Sequence, residues 1–201
     1  MKELEDYIEK ADNLIRQNGY SYENVDALFK ASILAKRNDN VELMFQASNL
    51  AKYYIEDAIG QQTGGDIWTV EKWLRDNGRS LPEIDLYYNI LKQESFDSFE
   101  SFIYSMERVR EYKKRFYQPR KCTLKTVVQD FQDLEDGKYT RYALSQPSRT
   151  GKSTTFLMFL AWIAMKRPLS HNAYGAHSGI LAKGSFKEEM NFLTTPEYTF
   201  F

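Results

Sequence analysis

The chain has one cysteine, Cys122, so it cannot form an internal disulfide. Its two histidines argue against a zinc site. Cys122 reads as a small packing residue rather than a nucleophile. No apolar run approaches the ~20 residues that span a bilayer. The longest, Phe156 to Met165, lies within a single helical pattern. The opening MKELEDYIEK is too acidic and polar for a signal peptide. These absences point to a reducing cytoplasm and away from membranes. Net charge is also small, -1 from 27 Lys+Arg and 28 Asp+Glu. That balance hides an asymmetry. Residues 1–100 hold 11 basic and 19 acidic side chains, a net of -8, and residues 101–201 hold 16 and 9, a net of +7. The acidic half is unsuited to tracking a nucleic-acid backbone, and the basic half is suited to it.

What is present is a soluble, globular composition, 42% hydrophobic and 27% charged over 201 residues, enough for one domain or two small ones. The first hundred residues carry apolar stripes at the 3-4 spacing of amphipathic helices. Leu4, Tyr7, Ile8, Ala11, Leu14 and Ile15 form the first, stopped by Asn18-Gly19. Val25, Leu28, Phe29 and Ile33 form the second, and Leu43, Ala47, Leu50, Ala51, Tyr54 and Ile55 the third. The segment FKASILAK at 29–36 echoes FQASNLAK at 45–52. The offset is too short for a helical-pair repeat and suggests two similar helices packed as a hairpin. Asp66 is placed to cap a fourth helix, Leu81-Pro82 opens a fifth, and Ser95 or Ser98 starts a sixth that passes Phe99, Phe102, Ile103, Met106 and Val109.

The chemistry concentrates at residues 142–167. Tyr142, Ala143 and Leu144 read as a buried strand end. Gln146-Pro147-Ser148-Arg149-Thr150-Gly151-Lys152-Ser153-Thr154 reads as a phosphate-binding loop, and a helix buried on most faces follows from Ser153. A loop entering a helix N-terminus aims free backbone N–H groups at one spot, where the dipole also favours an anion. Gly151 allows close approach, Lys152 reaches the β- and γ-phosphates, and Ser153 offers a hydroxyl to Mg²⁺. Gln146 stands where the pattern GxxxxGK[ST] has its first glycine, so the match is partial. Arg149 is placed to lie along a γ-phosphate as an arginine finger in cis. The plain alternatives are an ordinary strand–turn–helix with a solvated loop arginine.

QPSRTGKST resembles the Walker A loop of the large terminase subunits of tailed bacteriophages, ATP-driven motors that package DNA and carry a nuclease domain. Those loops commonly replace the first glycine and place an arginine before GK[ST]. Two flanking stretches resemble the family as well. Upstream lie Arg115-Phe116-Tyr117-Gln118-Pro119-Arg120-Lys121, a helical run from Leu124 to Leu134, and Glu135-Asp136-Gly137-Lys138. Downstream, Asn172 to Ser178 reads as a second strand, followed by a helix over Gly179 to Leu193 and by Pro196-Glu197-Tyr198. The resemblance covers about residues 112–201. It implies ATP and Mg²⁺ as cofactors and double-stranded DNA as the partner. It also implies contacts with a small terminase subunit and a portal protein, in a host-cell cytoplasm. The site residues it implies are Arg149 and Lys152 for catalysis, Ser148 to Thr154 around the phosphates, and Ser153 at the metal. Tyr117 and Gln118 would sit at the adenine, an aromatic stacking on the base and an amide reading its edge. The basic cluster Arg108, Arg110, Lys113, Lys114, Arg115, Arg120, Lys121 and Lys125, interleaved with Tyr112, Phe116 and Tyr117, also suits DNA phosphates or a solvated helix face.

One part of an ATPase is missing from the sequence. No apolar strand after residue 153 ends in Asp or Glu to serve as Walker B, and Glu188 and Glu189 fall on a helix. The chain therefore reads as the N-terminal portion of a terminase, ending before Walker B, with no hydrolysis expected from it alone. The alternatives are a helical interaction module with a remnant, non-hydrolysing loop, or a fragment of another P-loop enzyme such as a helicase. The expected fold is mostly α: an all-helical domain over 1–105, then an incomplete α/β P-loop ATPase domain over 106–201.

Overall fold

The computed structural model describes residues 2–108, 115–176, 178–196 and 198. Val109, Arg110, Tyr112, Lys113, Lys114 and Glu197, named above, lie outside the described residues. The chain is mostly α-helical and divides into two compact units, residues 1–93 and 94–201.

The first unit is built from α1 (Lys2–Asn18), α2 (Tyr22–Arg37), α3 (Val41–Thr63), α4 (Ile67–Asp76) and α5 (Pro82–Glu94). Helices α2 and α3 form the expected hairpin, packed along their length. The echoed segments explain the close approach: Ala31 and Ala35 on α2 and Ala47 and Ala51 on α3 are all fully buried. Small side chains four residues apart share one helix face and let backbones come near. Leu28, Met44 and Ile55 fill the remaining core. The helix starts are fixed locally. Ser21 accepts the Asn24 N–H, Asn40 the Leu43 N–H and Asp66 the Thr69 N–H, each satisfying one orphan donor of a first turn. The buried Glu71 carboxylate accepts from the Tyr88 hydroxyl and from Arg75, both at 2.7 Å.

The second unit holds α6 (Phe99–Glu107), a 3-10 turn at Gln118–Arg120, α7 (Lys121–Glu135), α8 (Lys152–Lys166) and α9 (Gly179–Leu193). Helix α6, grouped with the N-terminal domain by its sequence pattern, belongs to this unit. Its Phe99 enters an aromatic core, with ring centroids 5.4 Å from Phe159, 5.2 Å from Trp162 and 6.1 Å from Phe131. Phe131 of α7 stacks on Phe159 of α8 at 4.7 Å. The indole N–H of Trp162 donates to the Ser95 carbonyl at 2.7 Å, so the largest buried ring has its polar atom satisfied. At the C-terminal end of α8, Lys166 and Arg167 both meet Glu135, at 3.4 and 2.9 Å.

The expected strands are not formed. Residues 141–147 and 171–176 are irregular, and no strand occurs among the described residues. A strand exists only as part of a ladder, and two short segments without further partners do not make a stable sheet. The sequence signal survives in the side chains: Tyr142, Leu144 and Gln146 are half-buried while Arg141, Ala143 and Ser145 are exposed, the period-two alternation of an extended chain. No helix among the described residues is long and apolar enough to cross a membrane.

Candidate functional site

The loop at residues 146–151 turns into α8 through two left-handed residues, Arg149 at φ 66° and Gly151 at φ 98°. Helices α2, α3, α4, α6 and α9 start beneath a Ser, Asn or Asp side chain, whereas Gly151 gives α8 no side-chain cap. Gly151 is favoured by its backbone conformation and by a close fit to its neighbours. Its φ is one that side-chain-bearing residues rarely adopt, and a Cβ there would lie 3.3 Å from Leu124 Cδ1 and 3.5 Å from Phe116 Cδ2. The same contacts seat the loop against α7 and against the segment 116–120, with Arg120 Cδ 3.8 Å from that Cβ position.

Bonds within the loop hold its shape. Lys152 Nζ donates to the Gln146 carbonyl at 2.7 Å. The Thr150 hydroxyl lies 3.1 Å from the Pro147 carbonyl and 3.2 Å from Gln146 Oε1. Thr155, fully buried, returns its hydroxyl to the Gly151 carbonyl at 3.0 Å. Ser148, Arg149 and Ser153 are exposed. Beside Lys152 and Ser153 lies a cavity of about 330 Å³ walled by Phe131, Tyr142, Phe156 and Tyr174. Tyr142 is held there by its hydroxyl, which donates to Asp130 Oδ2 at 2.7 Å. Burial and that carboxylate raise the phenol above its ordinary range.

The adenine assignment needs a correction. Tyr117 is fully buried, its ring edge-on to Tyr104 at 5.4 Å and its hydroxyl donating to Glu100 Oε1 at 2.7 Å. Burial first, and Glu100 second, raise its phenol far above the ordinary range. A ring sealed in the core has no face to offer a base, so Tyr117 packs rather than stacks on a ligand. Gln118 is half-buried at the start of the 3-10 turn, in the segment that touches the loop.

One acidic residue escaped the sequence reading and another was set aside by it. The buried Glu107 accepts the N–H groups of Phe116 and Tyr117 at 2.7 and 3.0 Å on one oxygen, and that of Gln118 at 3.4 Å on the other. It fixes the segment that carries Gln118 and Arg120, and nothing in its spacing announces this. Glu188, set aside because it lies on a helix, accepts from the Thr154 hydroxyl at 3.2 Å. No group of three or more His, Cys, Asp or Glu side chains suited to a metal ion occurs among the described residues. Mg²⁺ held by one or two protein groups together with ligand phosphates needs no such cluster. The exposed Ser153 hydroxyl is a hard oxygen donor of the required kind. No protein-family model matches the chain, and searches of curated proteins and of solved structures find no match to it.

Proposed function

We propose that this chain supplies the ATP phosphate-binding loop of a DNA-packaging motor of the large terminase type. The observation that carries the reading is Gly151. The GKST sequence enters a 15-residue buried helix through a left-handed glycine that the segment 116–124 packs against. That arrangement leaves first-turn N–H groups of α8 for an anion, reinforced by the helix dipole. In this reading Lys152 exchanges the Gln146 carbonyl for β- and γ-phosphate oxygens. Arg149 offers its guanidinium to the γ-phosphate, and Ser148, Thr150 and Thr154 line the loop. Ser153 ligates Mg²⁺, which would neutralise phosphate charge when bound. Gln118 reads the adenine edge without help from Tyr117. Double-stranded DNA, a small terminase subunit and a portal protein are the partners such a motor engages.

A second reading, a helical interaction module with a loop that does not hydrolyse ATP, is favoured by one observation: no strand ladder forms among the described residues. Calorimetric titration with ATP and Mg²⁺, on the wild type and on Lys152→Ala, separates the two. Saturable binding that weakens at least tenfold in Lys152→Ala supports the first, since it removes a charge-assisted bond of about 1.5–3 kcal/mol. Absence of binding by both proteins sinks it.

A further inference from the structure

We propose that Glu188 makes this loop discriminate between metal-complexed and metal-free nucleotide, an inference that rests on the phosphate-binding role of residues 146–154. Thr154 is the third residue of α8, and its hydroxyl donates to Glu188 Oε1 at 3.2 Å. A carboxylate from α9 is thereby anchored at the helix end where the first-turn N–H groups would receive phosphate. Its charge favours the helix dipole and opposes an incoming anion at the same place. One helical turn is about 5.4 Å, so carboxylate and phosphates come within roughly 8 Å of each other. At that distance in water, each unit of like charge weakens binding about twofold before salt screening. Metal-free ATP carries two more negative charges than its Mg²⁺ complex and suffers the larger penalty. Glu188 would thus act through charge, as a selector of the ligand's ionic form, without touching the reacting atoms. A purely structural Glu188, tying α9 to α8, predicts no such dependence on the metal.

The test is the affinity for ATP in Mg²⁺ and in EDTA, measured by titration calorimetry for the wild type, Glu188→Gln and Glu188→Lys. The glutamine keeps an oxygen for the Thr154 hydroxyl and removes the charge, and the lysine reverses it. The expected result is a fall in the ratio of Mg²⁺ to EDTA affinity of about twofold in Glu188→Gln at physiological salt, and a larger fall in Glu188→Lys. Ratios equal to the wild type in both variants overturn the inference while leaving the loop reading intact. No saturable binding by the wild type in either medium overturns the loop reading and this inference with it.

Discussion

The two units bury apolar side chains by different means. In residues 1–93 much of the work falls to small side chains, the alanines between α2 and α3, beside one edge-to-face cluster of Trp68, Tyr87 and Tyr88. In residues 94–201 it is concentrated in a few large rings, Phe99, Phe131, Phe159 and Trp162, around which irregular backbone is hung. The margins differ accordingly. Leu169, Ile180 and Phe186 are 94%, 85% and 64% exposed, and only Phe192 of α9 is buried. A unit closed by helices alone needs little from its loops. A unit that carries long irregular segments keeps part of its backbone outside regular structure, and stability falls to the remainder.

The contrast is broken most sharply at Trp162. Trp162→Ala removes a fully buried ring together with its bond to Ser95, and a loss of about 3–5 kcal/mol is expected from urea unfolding. Hydrogen exchange should show the loss of protection in α6, α7 and α8. A loss under about 1 kcal/mol would mean the aromatic cluster is not what holds that unit. The distributed design of the first unit predicts smaller steps. Asp66→Ala deletes the α4 cap and should cost about 1 kcal/mol, with Asp66→Asn largely restoring it. Equal stability of the alanine variant and the wild type would show that α4 is held by packing alone. The smallest effect concerns Glu189, whose carboxyl burial raises above its ordinary value of 4.5. The folded state therefore holds that proton more tightly than the unfolded chain. The corresponding stability is present below the ordinary carboxylate range and is lost as pH rises through the raised value. Glu189→Gln should flatten that fall in a series of thermal melts, and an unchanged profile would remove Glu189 from the account.

Much of this was legible in the sequence. The nine described helices lie where the 3-4 stripes, the caps and the Gly and Pro stops put them, because these signals act within a turn or two of chain. The hairpin of α2 and α3 was readable from its echoed alanines. Tyr117 was misread because it lies within a basic stretch, while Glu100 and Tyr104, which pack against it, sit on α6. Strand formation at 142–144 was misjudged for a related reason: alternation describes the side chains, but a ladder needs a second backbone. Glu107 and Glu188 act across turns and between helices, where no local periodicity records them.

Glu107 has one further consequence. An anion enclosed by consecutive main-chain amides is the bond that a phosphate-binding loop makes with its guest. At Phe116, Tyr117 and Gln118 the guest is built into the host, one covalent chain supplying both halves. That junction owes nothing to solute concentration and is assembled before any ligand arrives. A nucleotide entering beside Gly151 would therefore meet a wall already set, and its binding energy would not be drained in organising it.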